Sequence, residues 1–223
     1  DDLLVGAPTA DVNGYNSGAS YVLFGSSNFS GGIVSFTGSD EDDTFTGTTA
    51  AERFEGNGGN DTLIGGGGAD IFQGGAGDDV ISLPDLDFQS VEGGTGIDTL
   101  ELAGSGVHLD LADFHDKITG IETIDLTGSG NNTLKFSFSD LLTLSDTTHT
   151  FTIDGDSGDR VVGVNSKGWG DGGIDGNYHI YTNRGTIVRI DTAVSANPPP
   201  PGVMSLSSLN GSNGFRLTGG GYG

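Results

Sequence analysis

Residues 56–82 read GNGGNDTLI GGGGADIFQ GGAGDDVIS, three rows of nine in which a glycine-rich turn, an aspartate and an apolar residue return at fixed places. The frame extends outward. Upstream it takes in GSDEDDTFT (38–46) and GTTAAERFE (47–55), and after a ten-residue spacer, LPDLDFQSVE (83–92), it resumes with GGTGIDTLE (93–101). The sixth place carries Asp43, Glu52, Asp61, Asp70, Asp79 and Asp98; the eighth carries Phe45, Phe54, Leu63, Phe72, Ile81 and Leu100. A flexible Gly/Asp linker has no reason to hold a large apolar residue at one place of every row. Each row therefore reads as a turn of six residues followed by a strand of three, whose eighth residue points inward. Two rows make one coil, so turns on the same edge recur every 18 residues, with Asp43, Asp61 and Asp79 on one edge and Glu52 and Asp70 on the other. Asp79 and Asp98 are 19 apart, so the spacer either bulges by one residue or breaks that pair.

Composition says why such a chain needs help to fold. Of 223 residues, 31 are acidic and 8 basic, giving a formal charge of −23; 42 are glycine, none is cysteine, and only 33% are hydrophobic. The missing cysteines exclude disulfide staples, cysteine zinc sites and thiol catalysis. Charge of this sign repels phosphate backbones, so nucleic acid is not an expected partner. No apolar run approaches the roughly 18–20 residues of a membrane helix, and membrane insertion is not expected. Glycine loses the most backbone entropy on ordering, and this chain has little apolar surface to offset that loss.

Divalent cations meet the deficit. Calcium takes about six to eight hard oxygen ligands, and two stacked turns offer a pair of carboxylates with several peptide carbonyls. Magnesium is smaller, demands a stricter octahedron and is expected to compete poorly. The candidate metal set is Asp43, Asp61, Asp70, Asp79 and Asp98 with the turn residues Gly56, Gly58, Asn60, Gly65, Gly67, Gly74, Ala76 and Asp78. Glu52 is a lesser candidate, because its row lacks the glycines and places Arg53 beside it. Without the ion, acids along each edge repel one another, so residues 38–101 are expected to fold when calcium binds. Asp154, Asp156 and Asp159, in DGDSGD, form either a further calcium loop or an acidic hairpin turn.

The rows 56–82 and 93–101 resemble the hemolysin-type repeats of RTX proteins, whose nonapeptide GGxGxDxUx marks a calcium-binding parallel β-roll. The following stretch, KITGIETIDLTGSGNNTLKFSFSDLLTLSDTTHTFTIDGDSGDRV (117–161), resembles a segment that follows such repeats in large bacterial surface proteins and adhesins. The resemblance spans about residues 36–194. It implies a calcium-loaded β-roll, export through a type I channel, and folding outside the cell or at its surface.

The rest of the middle region reads as β. Strands are expected at Thr99–Leu102, Val107–Leu111, Glu122–Leu126, Thr133–Phe138, Thr150–Ile153, Tyr178–Thr182 and Ile187–Asp191, from period-2 patterning between Gly, Asn and Asp turns. Ser139 is a candidate cap for one helical turn. This region is expected to continue the roll as a wider solenoid or sandwich and to cover its open end. Trp169, the single tryptophan, reads as a core or loop anchor.

The ends carry a second resemblance. DDLLVGAPTADVNGYNSGASYVLFG (1–25) resembles the later part of an FG-GAP repeat of integrin-type propellers, with Gly6-Ala7-Pro8 and Phe24-Gly25; Asp1 or Asp2 would be the last ligand of its calcium loop. VMSLSSLNGSNGFRLTGGGYG (203–223) resembles the opening strand of such a repeat, set off by Pro198-Pro199-Pro200-Pro201. These ends are either cut from a longer array, or one copy's 203–223 completes the next copy's 1–25 head to tail.

The expectation is thus an all-β chain: a partial blade (1–35), a β-roll (36–101), a β-rich capping region (102–196), a proline spacer (197–202) and the start of another blade (203–223). No catalytic constellation stands out among His108, His115, His149 and His179, and no HExxH or GxSxG motif occurs. The expected role is a non-catalytic, calcium-binding structural module of a secreted or surface protein, an adhesin or matrix component, whose partners are calcium and neighbouring copies or tandem modules. The alternative is the non-catalytic repeat domain of an exported protease, lipase or epimerase. Direct carbohydrate binding by residues 102–195 has no aromatic cluster in the sequence to support it.

Overall fold

The computed structural model describes residues 33–196, apart from 146–147 and 165–167, together with the backbone of two strands nearer the start of the chain. Those two, β1 (Leu3–Gly6) and β2 (Ser20–Leu23), pair antiparallel with Leu3 opposite Leu23. The Ala7-Pro8 and Phe24-Gly25 motifs, Asp1, Asp2, the proline spacer and residues 203–223 lie outside the described residues.

From β3 (Val34–Thr37) and β4 (Thr44–Thr46) onward the chain winds as a repeating ladder of parallel strands. Successive coils add β5 (Glu52–Gly58) and β6 (Thr62–Ile64), β7 (Ile71–Ala76) and β8 (Val80–Leu83), then β9 (Ser90–Thr95) and β10 (Thr99–Leu102). Odd-numbered strands of this part stack into one sheet and even-numbered strands into another. The inward residues form two columns. Phe36, Phe54, Phe72 and Val91 stand in register on one sheet, and Phe45, Leu63, Ile81 and Leu100 on the other. All eight are buried, and Phe54 stacks on Phe36 and Phe72 with ring centroids 4.8 Å apart on either side. Two thin sheets, each giving one inward residue to every coil, make a narrow core, which is what a 33% hydrophobic chain can fill.

The strands leading into one edge run longer than three residues: β5 and β7 continue through the next row's first glycines, so Asn57 pairs with Gly75 and Gly58 with Ala76. The spacer 83–92 is itself a row. Its extra residue is absorbed where the Gln89 and Ser90 amides both donate to the Asp70 carbonyl, at 2.7 and 3.3 Å, after which Val91 falls opposite Phe72. Register is thereby restored, and Thr99 faces Val80.

Beyond Leu102 each coil gains a third face. β11 (His108–Asp110) precedes a 3-10 turn (Leu111–Phe114), β12 (Ile118–Thr119) and β13 (Thr123–Asp125); β14 (Thr133–Lys135) precedes helix α1 (Phe138–Leu144) and β15 (Thr150–Asp154). β16 (Arg160–Val162) leads to a hairpin, β17 (Gly170–Asp175) and β18 (Tyr178–Asn183), and then to β19 (Thr186–Asp191) and β20 (Ser195–Ala196). Strands β11, β14, β16 and β20 form the added parallel sheet, with Leu109, Leu134, Val161 and Ala196 in line. The sheet begun at β4 continues unbroken through β13, β15 and β19, carrying the column on through Ile124, Ile153 and Ile190. The region is a wider solenoid, and one buried cluster runs from Phe36 to Val194.

The ladder then stops. α1 packs beside β12, where the next strand of that sheet would stand, and β18 joins β19 antiparallel. The helix cap is Ser137 rather than Ser139: the Ser137 hydroxyl accepts from the Asp140 amide, while the Asp140 carboxylate accepts from the Ser137 amide. Ser139 sits inside the first turn and exchanges a hydrogen bond with the Ser137 hydroxyl. Trp169 packs edge-on against Phe136 and Phe138, as a loop anchor does.

Candidate metal centre

The acids at the sixth place of each row are not surface charges. Asp61, Asp70, Asp79 and Asp98 are at most 2% exposed, and Asp43 and Glu52 are also buried. One oxygen of Asp61, Asp70, Asp79 and Asp98 is held by the coil before it. The Asp43 amide donates to Asp61 Oδ1 at 2.7 Å, Asp61 to Asp79 at 2.8 Å, and Asp79 to Asp98 at 2.9 Å. On the opposite edge the Glu52 amide donates to Asp70 Oδ1 at 2.8 Å. The 19-residue step from Asp79 to Asp98 therefore preserves the pair. A second ladder runs outside the first in the opposite sense: the Asn60 amide donates to Asp42, Asp78 to Asn60, and Ile97 to Asp78. The side chains of Asn60 and Asp78 are thus committed to tying turns together.

The other carboxylate oxygen sorts the rows into two kinds. In the first two rows it is satisfied by the protein. Asp43 Oδ2 accepts from the amide and hydroxyl of Ser39, at 2.7 and 3.0 Å, and Glu52 accepts from the amide and hydroxyl of Thr48. In the rows starting at Gly56, Gly74 and Gly93 it is buried with no hydrogen-bond partner: Asp61 Oδ2, Asp79 Oδ2 and Asp98 Oδ2. These three rows also share a backbone conformation. Asn57, Gly75 and Gly94, at the second place, have φ of 75°, 120° and 116°, whereas Ser39 and Thr48 do not enter the positive-φ region. No second-place amide donates to the acid in these rows, and Gly is the residue that adopts the left-handed turn without strain.

What faces the orphaned oxygen is more oxygen. A Cβ placed on Gly56 would lie 2.2 Å from Asp61 Oδ2 and 2.3 Å from the Gly74 carbonyl oxygen; one on Gly74 would lie 2.3 Å from Asp79 Oδ2 and 2.4 Å from the Gly93 carbonyl oxygen. A carboxylate and the carbonyl of the next turn therefore converge on one small space that only glycine leaves open. On the other edge a Cβ on Gly65 would lie 2.8 Å from both Asp70 Oδ2 and the Phe72 ring, with no carbonyl oxygen among its nearest atoms, and Asp85 Oδ2 lies 3.2 Å from the Cβ position of Gly67. Two anionic or dipolar oxygens directed at each other are unfavourable unless a proton or a cation lies between them.

The electrostatics register this. Burial is the largest cause in each case. It pushes Asp61 up to about 6, with the charges of Asp79, Asp43 and Asp42 adding to it, and Asp70 to about 6, with Glu52 and Asp85 adding. Asp98 is pushed up to about 7 by burial and by Asp79, Glu122 and Asp78, and Asp79 is raised by burial and by Asp78. Hydrogen bonds from the preceding amides oppose the rise without cancelling it.

The geometry separates the candidates that the sequence offered. Asp43 is already satisfied by Ser39, so it lacks the open oxygen of Asp61. Glu52 is closed by Thr48 rather than weakened by Arg53, whose guanidinium turns to Glu55 and Gln73. Asp154, Asp156 and Asp159 do not converge. Asp154 accepts from the Tyr178 hydroxyl at 2.6 Å, Asp156 is exposed, and Asp159 is buried, accepting from the Asn132 amide and from the Asp156 amide. Asp159 thus repeats the ladder on the third face in a form the protein itself satisfies. Among the described residues no group of three or more His, Asp or Glu side chains is placed to hold a metal, so any cation must rely on peptide carbonyls beside the carboxylates. Sequence reasoning missed Asp85, which stands in the spacer outside the nine-residue frame.

Glycine turns stacked at 18 or 19 residues, buried acids and an inward apolar column make up a parallel β-roll. Residues 46–81 match the family model of the RTX calcium-binding nonapeptide repeat (4 copies), and such repeats bind calcium. No curated protein and no solved structure matches the chain. Among the described residues no helix is long and apolar enough to cross a membrane, and RTX repeats are typical of secreted proteins.

Proposed function

We propose that this chain is a non-catalytic structural module of a secreted or cell-surface repeat protein, an adhesin or matrix component exported by a type I route, whose roll becomes rigid when calcium is bound. The observation that carries this reading is the row of buried carboxylate oxygens, Asp61, Asp79 and Asp98, with no protein partner. Asp61 Oδ2 with the Gly74 carbonyl, Asp79 Oδ2 with the Gly93 carbonyl, and Asp70 with Asp85 across the other edge are the groups that would hold the ions. Calcium supplies there the divalent charge and the high coordination number that hard oxygens satisfy. The chain's own part is to present those oxygens dry and close together, and to withhold amide donors that would make the ion unnecessary. Free energy of ion binding then becomes free energy of folding.

The paired strands β1 and β2 form a sheet of two strands among the described residues, a marginal unit on its own. On this reading residues 203–223 of one copy supply a further strand to β1–β2 of the next, giving open head-to-tail assembly. Two measurements test the proposal. Titrating calcium into depleted protein at neutral pH should raise the β signal in far-UV circular dichroism cooperatively; strand content indifferent to chelation would overturn the module. Light scattering in calcium should show mass growing with concentration; monomers throughout would end the assembly.

A further inference from the structure

The acid ladder does not end with the last nonapeptide row. The Asp98 amide donates to Glu122 Oε2 at 3.0 Å, in the same way that the Asp79 amide donates to Asp98. Glu122 lies 24 residues further on, outside every nine-residue row, and is 4% exposed. Its chain context is Thr119-Gly120-Ile121-Glu122, a short turn between β12 and β13 that replaces the six-residue turn of the rows. Gly120 occupies the place of the next row's first glycine. Its φ is 64°, and its carbonyl oxygen lies 1.9 Å from a Cβ built on Gly93, with Asp98 Oδ2 2.7 Å from the same point. That Asp98 oxygen is fully buried and unpartnered. The pattern of an orphaned oxygen, a facing carbonyl and a following acid, seen at Gly56–Gly74 and Gly74–Gly93, is thus repeated at Gly93–Gly120. A cavity of about 220 Å³ opens beside it, lined by Glu92, Gly94, Thr119, Gly120 and Thr143.

We infer that Asp98 and Glu122, with the Gly120 carbonyl, form a further divalent-cation site that joins the repeat rows to the wider solenoid. Its ligands come from one nonapeptide turn and one turn of different sequence, so binding there couples the two parts of the ladder: the ion fixes β10 against β13 from the edge. The inference rests on the proposal that the equivalent gaps at Asp61 and Asp79 hold calcium, and the tests separate the two. Isothermal titration of calcium into the full chain should count one ion fewer for Glu122→Gln, which keeps the acceptor for the Asp98 amide and removes the charge. Hydrogen exchange on the unaltered chain reads the same site without a variant. Calcium should slow exchange at Ile118–Asp125 by at least about tenfold, together with residues 74–98. Unchanged stoichiometry and affinity in Glu122→Gln, or protection of 74–98 with none at Ile118–Asp125, would overturn the junction site and leave the repeat sites standing. No calcium binding by the unaltered chain would remove both.

Discussion

Raising the pH of calcium-depleted protein from about 4 to about 8 is expected to unfold the β-roll, and calcium is expected to abolish that sensitivity. Asp61 and Asp70 titrate at about 6 and Asp98 at about 7 in the folded chain, against 3.8 for an unburied aspartate. A carboxyl whose folded titration point is raised favours the fold while protonated. That contribution is complete below about pH 4 and is lost as pH climbs through 6 and 7. At about 1.4 kcal/mol per pH unit separating the two states, Asp61 and Asp70 each cost roughly 3 kcal/mol once ionised and Asp98 roughly 4. The turns lie near the molecular surface, where water screens charge, and halving the total still leaves on the order of 5 kcal/mol. Whole domains are stable by only about 5–15 kcal/mol, so a loss of this size decides whether the roll is folded. Bound calcium reverses the sign, because it favours the ionised carboxylates. The assay is far-UV circular dichroism with thermal melts across the window, on protein depleted by chelation and buffer exchange and again in calcium. Equal strand content and equal Tm at both pH limits without calcium would refute the reasoning.

Three further outcomes follow from named contacts. Ser39→Ala removes one donor to the buried Asp43 carboxylate and should lower metal-free stability at about pH 4 by about 1–2 kcal/mol, with a smaller loss in calcium, read from paired denaturant melts. Phe54→Ala empties the middle of the Phe36–Phe54–Phe72 stack and should cost about 3–5 kcal/mol, shifting the calcium midpoint of folding to higher concentration; an unmoved midpoint would show that the aromatic column does not support the coils. Gly75→Ala places a Cβ 2.2 Å from the Asn57 carbonyl oxygen at φ of 120°, and should prevent adjacent turns from stacking, so that calcium no longer induces the β signal; a normal titration would contradict the close approach.

Much of the roll was legible before any coordinates, because its determinants are local. An apolar residue at every eighth place and alternation within a three-residue strand fix which side faces inward, and the observed columns of Phe, Leu and Ile follow that reading. Strands β11, β13, β14, β15, β18 and β19 of the wider region were found to within about three residues at each end, since Gly and Asn turns punctuate them, whereas β12, β16, β17 and β20 were not anticipated. The helix cap was misplaced from Ser137 to Ser139 because three serines and an aspartate lie close together, and only the hydrogen bonds choose among them. The DGDSGD stretch, open between a calcium loop and an acidic turn, was ambiguous for a different reason. Carboxylates close in sequence look convergent, yet Asp154 is drawn to Tyr178, 24 residues away, and Asp159 into the ladder beneath Asn132.

The amino-acid order by itself set the period, the inward column and the edges on which acids accumulate, since each depends on neighbours within one row. Which of those acids is left wanting a cation was settled only by tertiary structure. Asp43 and Asp61 occupy the same place in their rows, but the second oxygen of one meets Ser39 while that of the other meets only a carbonyl from the coil beyond. Glu122 belongs to no row and joins the ladder solely because β13 stacks on β10. The physical reason is that a buried oxygen's energy is fixed by what lies within about 3 Å of it. In a solenoid those atoms come from the next turn of the coil, 18 to 24 residues along the chain.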